Sequence, residues 1–284
     1  MAVTTFTYTS QKFFESNPFD YEVDVSCASN LALASEKFSE NGFVVLRNVV
    51  PLSLIDKIHE DLLHTIDSGL ITNKLRDLHT FDDGTVSSAH NLIDYLPSYQ
   101  ALLNLEVIHK VLKLAYGELS SNKFNSSFFA KPKRIGLETK PHQDNAFFCM
   151  NPAEVATCWL PVTFANRLNG CLYYYPKSSA LGNLSHMPEG NLGASMCLSS
   201  NVLSKVESQL KRVYIELNKG DCVLHNSTTV HGSEPNESDT DRNAFNFSIA
   251  SLKAVRDEDL FSLYKANLNS FLVVRKMDSS GYVK

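Results

Sequence analysis

A mainly β fold with flanking helices, α+β in class, is predicted for this chain by three observations. Up to about residue 120, apolar residues recur at helical spacing between capping and stopping signals. From Asn125 onward the chain breaks into short apolar or alternating runs divided by Pro, Gly, Asn and Lys. No helical segment separates those runs, which argues for a sandwich or barrel and against a parallel sheet. With 284 residues, 43% of them apolar, there is ample material for one large β domain, so residues 1–284 are read as a single unit. Within it, residues 36–120 supply an N-terminal strand and helical support, 121–252 a β core with an insertion at 176–212, and 253–284 a helical extension.

Residues 1–35 are mixed and aperiodic. Order begins in "FSENGFVVLRNVVP", where the apolar run Phe43 to Val50, bounded by Asn41-Gly42 and Pro51, predicts a strand entered by a turn. Ser53 with Asp56 three residues on is a capping signal, and Leu54, Ile58, Leu62 and Ile66 then recur at helical spacing until Gly69. A second helix is predicted over Leu102 to Tyr116, with Leu105, Ile108, Leu112 and Ala115 on one face and Gly117 as its stop. Strands are predicted at Ser126 to Lys131, Phe147 to Met150, Thr157 to Val162, Cys171 to Tyr175, Val213 to Leu217, Cys222 to His225 and Phe245 to Leu252. The Ser- and Gly-rich insertion that starts at Pro176 lies between strands, and long loops of that kind are disproportionately lids or substrate walls. Asp257 to Leu268 reads as a helix packed outside the β core.

Composition removes several functions. The net charge is -5 with Lys and Arg scattered, unlike the clustered basic stripe that neutralises a phosphate backbone, so no nucleic-acid partner is expected. Six well-separated cysteines without a CxxC pair, and a start lacking a basic region followed by an apolar stretch, predict a reduced, cytoplasmic protein. No apolar run approaches the roughly 20 residues needed to cross a bilayer.

Four residues carry the chemistry. His142 and Asp144, in "KPHQDNAFF", are two apart, so an extended Pro141 to Asn145 would send both side chains off one face, with Gln143 pointing the other way or along the rim. Alone, the pair is a weak signal, and its ordinary reading is a histidine hydrogen-bonded beside a surface carboxylate. His231 follows a turn and a strand and sits at a strand end, where a jelly roll can bring it beside a distant strand; His225, six residues earlier, is a rival ligand. Arg242 lies eleven residues after His231, and a hairpin would bring it level with Ser233. Inside a barrel its guanidinium fork would need a carboxylate, while at the surface it would pair with Asp239 or Asp241. Two imidazoles and one carboxylate can occupy three adjacent corners of an iron(II) ion, and an arginine nearby can hold a carboxylate-bearing reactant.

The order HQD, then "NGCLYYYPKSS", then "GDCVLHNSTTVHGSEPNESDTDR" resembles the phytanoyl-CoA dioxygenase family of iron(II)- and 2-oxoglutarate-dependent oxygenases. That family's pattern is HxD, a turn of the type NGxLxxxPGSH, and a closing GDxxxFHxxxxHxSxxNxSxxxR. The resemblance spans residues 36–252 and implies a double-stranded β-helix, a cupin-like jelly roll, behind a helical N-terminal portion. It implies His142, Asp144 and His231 as iron ligands, with Arg242 and Ser233 on the distal carboxylate of 2-oxoglutarate. Trp159 falls near a family tryptophan beside the cosubstrate, and Gln143 and Lys131 are polar contacts for cosubstrate or substrate; core packing for Trp159 and a solvated strand end for Lys131 are the alternatives.

Two departures stand out. PGSH is replaced by Pro176-Lys177-Ser178-Ser179, and the family's Phe-His pair by His225-Asn226, so contacts made there differ while the ligand positions are kept. The resemblance implies a dioxygenase that uses iron(II), 2-oxoglutarate and O2, releases succinate and CO2, and hydroxylates an unactivated C–H of a small molecule. Because Asp144 is retained, hydroxylation is favoured over halogenation. The rivals are a jelly-roll metalloenzyme without 2-oxoglutarate and a non-catalytic ligand-binding jelly roll.

Overall fold

The structure, a computed structural model, describes residues 18–27, 29–71, 77–121, 125–188 and 196–274. Along the chain, β1 (Glu22–Asp24) precedes α1 (Asn30–Asn41), and β2 (Phe43–Arg47) precedes α2 (Leu52–Asp67). The hairpin of β3 (Leu78–Thr80) and β4 (Val86–His90) is followed by the short α3 (Gln100–Leu103) and by α4 (Glu106–Tyr116). Next come β5 (Asn125–Lys131), β6 (Thr139–His142), the one-turn α5 (Asn145–Phe148), β7 (Met150–Asn151), β8 (Val155–Pro161) and β9 (Leu172–Tyr174). A second hairpin, β10 (His186–Pro188) with β11 (Met196–Leu198), leads to α6 (Ser200–Glu207). The described chain ends with β12 (Val213–Ile215), β13 (Cys222–Asn226), β14 (His231–Ser233), β15 (Arg242–Ala250), β16 (Val255–Arg256) and α7 (Glu258–Val274).

Two sheets form the jelly roll. The larger runs β1-β2-β13-β8-β15-β5-β4-β3 and the smaller β12-β9-β14-β6, and apart from the parallel β1–β2 pair the ladders are antiparallel. In β8 all seven residues are buried, and their alternation feeds two cores. Ala156, Cys158 and Leu160 join Phe245 and Phe247 against Ile55, Ile58 and Leu62 of α2 and Ile108 and Leu112 of α4. Trp159, on the other face, joins Phe43, Val45 and Val223 against Leu172, Tyr174, Val213 and Ile215 of the smaller sheet. A strand covered on both faces reads as an unbroken apolar run, and that run hides its alternation in the sequence.

Several sequence expectations need correcting. The stretch assigned as aperiodic contains α1, closed by Gly42 at φ 82°, whose amide donates to the Phe38 carbonyl at 2.9 Å. Its apolar content is too low for the periodicity to show, yet Ala34 and Phe38 are buried against the sheet. The support region also holds β3 and β4, so it is not purely helical. The Ser53–Asp56 capping signal is not used: Pro51, at φ -56° and ψ 129°, starts α2 one residue before Ser53. The helix expected over Leu102 to Tyr116 is broken at Asn104-Leu105, where Leu105 turns extended. Phe147 and Phe148 belong to α5, and the strand there is only Met150–Asn151. The insertion carries structure of its own, namely the β10–β11 hairpin and α6.

Gly232 sits where the smaller sheet closes most tightly. A Cβ there would meet the Tyr173 hydroxyl at 2.5 Å and the backbone carbonyl of Thr139, in β6, at 2.7 Å. The Thr139 backbone cannot yield without disturbing the β14–β6 pairing that sets His231 opposite His142. Gly232→Ala is therefore expected to lower thermal stability by about 1–3 kcal/mol and to weaken metal binding, as read by melting and by iron titration of the same preparation. Among the described residues no helix is long and apolar enough to cross a membrane.

Candidate metal centre

His231 comes from β14, and its register partner in β6 is His142. Asp144 arrives differently from the extended segment expected: the strand ends at His142, and Asp144 takes helical dihedrals, φ -61° and ψ -30°, just before α5. This turn brings one Asp144 oxygen, Oδ1, to 3.7 Å from His142 Nε2 and 3.6 Å from His231 Nε2. One ligand atom from each of His142, Asp144 and His231 lies within 4.8 Å of the others.

The imidazoles are held in one tautomer. His142 Nδ1 donates to the Lys140 carbonyl at 2.8 Å and His231 Nδ1 to the Thr229 carbonyl at 3.0 Å, which leaves both Nε2 lone pairs facing Asp144. Burial holds both rings below the ordinary imidazole range, so they are neutral at pH 7. Burial pushes the Asp144 carboxyl up, but His231, His225 and His142 around it outweigh that and hold it well below the usual carboxylate range. Neutral imidazoles beside a carboxylate are the protonation states that a metal requires.

His225 lies behind the carboxylate. Its Nε2 is 3.1 Å from Asp144 Oδ2, its Nδ1 is 2.9 Å from the Tyr174 hydroxyl, and Thr157 Oγ1 donates to the same Oδ2 at 2.6 Å. With Tyr174 donating to Nδ1, the Nε2–H of His225 points at Asp144. Oδ2 is thus held by two donors, and Oδ1 alone faces the histidines. Thr157 and Tyr174 were not found from the sequence, because only the strand pairings bring them under Asp144. Replacing His225 by Phe, the residue of the family pattern, is expected to cost roughly 10- to 100-fold in ferrous affinity. His225→Gln, which keeps a donor, should recover most of it in the same anaerobic titration, and an unchanged affinity in H225F would show that Thr157 suffices.

Arg242 is buried on the inner face of β15, but not through a hairpin with Ser233. β14 pairs in the smaller sheet and β15 in the larger, where Arg242 is the register partner of Lys131. Lys131 donates through Nζ to the carbonyls of Ser233 at 3.3 Å and Glu234 at 2.5 Å, so Arg242 and Ser233 flank one ammonium. The Arg242 guanidinium lies 5.4 Å from the Trp159 ring centroid, and burial pulls its pKa down to about 10. Arg242 Nε and Ser233 Oγ are both buried without a hydrogen-bond partner. A buried cation and a hydroxyl left unsatisfied together fit a missing carboxylate.

Gln143 has a structural role. Its Nε2 donates to the carbonyls of Gly182 at 2.8 Å and Thr228 at 2.5 Å, and its Oε1 accepts from the Leu184 amide at 2.8 Å, so both ends of the amide are spent on backbone. Of the other departures from the family pattern, Ser178 accepts from the Val230 amide at 2.8 Å and so pins the residue before His231, while Asn226 donates to the Tyr116 hydroxyl at 2.9 Å.

The phytanoyl-CoA dioxygenase family model matches residues 38–244. The chain belongs to the phytanoyl-CoA dioxygenase family. Members of this family are iron(II)- and 2-oxoglutarate-dependent oxygenases, and the two halves of the site fit that pair: three ligands for iron, and an unsatisfied arginine and serine for a carboxylate. Among relatives, the peroxisomal phytanoyl-CoA dioxygenase of Homo sapiens is 25% identical over 256 residues, 85% of this chain and 74% of that protein. A phytanoyl-CoA dioxygenase domain-containing protein 1 homologue of Caenorhabditis elegans is 22% identical, over 77% of this chain and 90% of that one. In fold, the chain is similar to the α-ketoglutarate-dependent carbocyclase SnoK of nogalamycin biosynthesis, with a TM-score of 0.63, 20% identity and coverage of 79% of this chain and 85% of that one. It is also similar to EctD from S. alaskensis, solved with 2-oxoglutarate and 5-hydroxyectoine, with a TM-score of 0.65, 14% identity and coverage of 85% and 79%.

Two further histidines, half-buried and largely shielded from water, make this phytanoyl-CoA dioxygenase relative sensitive to acid. Burial pulls His90 and His186 down to about 4. An unfolded imidazole takes its proton near pH 6.5, so between roughly 6.5 and 4 protons favour the unfolded chain. Stability is fully present above pH 6.5 and should fall as the pH drops through that window, by up to roughly 3 kcal/mol for each residue. Melting temperatures of the wild type and His90→Gln across the window check this: the variant's slope should be shallower.

Proposed function

We propose that the protein is an iron(II)- and 2-oxoglutarate-dependent hydroxylase acting on an unactivated C–H of a small molecule. The observation that carries this reading is the coincidence of the His142, Asp144 and His231 cluster with a buried, unsatisfied Arg242 and Ser233 in the same jelly-roll interior. His142, Asp144 and His231 would hold iron. Arg242, supported by Trp159 and assisted by Ser233, would hold the distal carboxylate of 2-oxoglutarate.

Bound iron supplies the oxygen chemistry: one oxygen atom enters succinate as CO2 is lost, and the other converts substrate C–H to C–OH. Two of the four electrons that reduce O2 come from 2-oxoglutarate and two from the C–H bond. This chain's residues bind and orient. Thr157 and His225 fix the Asp144 carboxylate, the backbone carbonyls of Lys140 and Thr229 fix the two imidazoles, and the apolar row of Phe43, Val45 and Val223 keeps water from the sealed side of the site. Retention of Asp144 supports hydroxylation over halogenation. The free cysteines, five of them buried, support a reducing location such as the cytoplasm.

Titration of iron(II) and 2-oxoglutarate without oxygen tests the proposal. A weak visible charge-transfer band should appear only when both are present, and folded protein that gives no band refutes it.

A further inference from the structure

One face of the larger sheet changes character halfway across. Its inner face is sealed on β2, β13 and β8, where Phe43, Val45 and Val223 are 0% exposed and Trp159 4%. On β15, β5, β4 and β3 the same face is mixed: Arg242, Ala244, Ser248, Lys131, Ser127 and Ser88 are buried, while Asn246, Asn125, Phe129, His90 and His79 are partly exposed although three of these strands have neighbours on both sides. Register places them together, since Asn246 pairs with Ser127 and Trp159, Ser127 with His90, and Phe129 with Ser88, which in turn pairs with His79. Among the described residues, the apolar half of this face is thus covered more fully than the polar half.

The polar half of the face runs to the metal centre through side-chain contacts. Thr157, which donates to Asp144, lies 3.1 Å from Ser248 Oγ, and Asn125 Nδ2 donates to Asn246 Oδ1 at 3.4 Å. His90 places Nδ1 2.9 Å from Ser127 Oγ and Nε2 3.0 Å from Ser88 Oγ, and its ring stands edge-on to Phe129 with centroids 5.5 Å apart. Phe129 is the one large apolar side chain on this face of β15, β5, β4 and β3, and Arg242 and Lys131, at its far end, are its only Lys or Arg.

Resting on the iron and 2-oxoglutarate reading above, we propose that the substrate is a compact, uncharged molecule carrying several hydroxyl or amide groups, bound over Asn125, Asn246 and His90, and not a fatty-acyl thioester of coenzyme A. An acyl chain laid on this face would cover the partly exposed carboxamides of Asn125 and Asn246 without returning hydrogen bonds, at about 1–3 kcal/mol for each group left unpaired. Among the described residues, the coenzyme's phosphates would meet no Lys or Arg on this face between Asn125 and Phe129. The Asn246 carboxamide can both donate and accept, which suits hydroxyl and amide partners, and Phe129, with the His90 ring that Ser127 and Ser88 hold edge-on to it, offers a plate for the C–H face of a ring.

The test uses the purified full chain with iron(II), 2-oxoglutarate and air, and reads succinate formation with and without added compound. One set contains methyl glycosides, cyclitols and N-acetylated amino sugars; the other contains hexadecanoyl-CoA and phytanoyl-CoA. At least one polar compound should raise succinate above the substrate-free rate and the thioesters should not. Asn246→Ala should then raise the half-saturating concentration of the responding compound by roughly 3- to 10-fold, the worth of one uncharged hydrogen bond. Stimulation by a thioester, or none by any polar compound, overturns the proposal. The anaerobic charge-transfer band of the same preparation separates the two readings: with the band present only the substrate class has failed, and without it the iron and 2-oxoglutarate reading has failed first.

Discussion

Arg242→Ala is expected to lower 2-oxoglutarate affinity by about two to three orders of magnitude while leaving ferrous binding in place. The guanidinium is 3% exposed, its Nε has no partner, and its nearest cation, Lys131, is engaged by the carbonyls of Ser233 and Glu234. Removing it leaves a buried carboxylate facing Ser233 and little else, which is the costly side of breaking a buried ion pair. Arg242→Lys should recover only part of the affinity, because an ammonium lacks the two-pronged fork and the flat face that lies over Trp159. Two measurements separate the roles: iron(II) titration followed by an added metal-sensitive probe, and the melting-temperature rise on adding 2-oxoglutarate, which should vanish in R242A. A normal 2-oxoglutarate-induced rise in R242A would remove the cosubstrate from this end of the barrel.

Asp144→Ala is expected to abolish tight ferrous binding, a loss beyond the roughly 100-fold that an outer hydrogen bond commands. Asp144 is the only anion of the metal cluster and the acceptor for both Thr157 and His225. Truncation removes the charge and also orphans two buried donors, at about 1–3 kcal/mol each, so D144A should melt lower for reasons unrelated to metal. Asp144→Asn separates the effects, because it keeps an acceptor oxygen for Thr157 and removes only the charge. D144N should fold with near-parental stability and still fail to bind iron(II) tightly. Iron bound by D144N with parental affinity would mean that a different set of ligands holds the metal, His225 being the first alternative on geometry.

The fold was legible wherever a single periodicity ruled. The face of α2 at Ile58 and Leu62, the stop at Gly117 and the chain of short strands beyond Asn125 follow from local pattern, and all appear in the structure. Phe147 and Phe148 misled because a short apolar run has no period: it entered a helical turn that buries Asn145 and stands Phe147 edge-on to His142 at 6.0 Å. The family resemblance picked out His142, Asp144, His231 and Arg242 as candidates, and the geometry that brings them together differs from the one expected. Asp144 converges through a turn, and Arg242 reaches Ser233 through Lys131 across the sandwich. Gln143, adjacent to two ligands in sequence, proved to be spent on backbone groups.

By itself the sequence determined the fold class and the order of the candidate ligand residues, because strand alternation, turn residues and motif spacing are local properties of the chain. Only the tertiary structure decided that His225 and Thr157 hold Asp144, and that the polar half of the inner face of the larger sheet is less fully covered than the apolar half. Both depend on which strand lies beside or above another, and no residue's own neighbours in the chain encode that. A half-exposed asparagine at position 246, on a central strand, has meaning only once the strands beside it are in view.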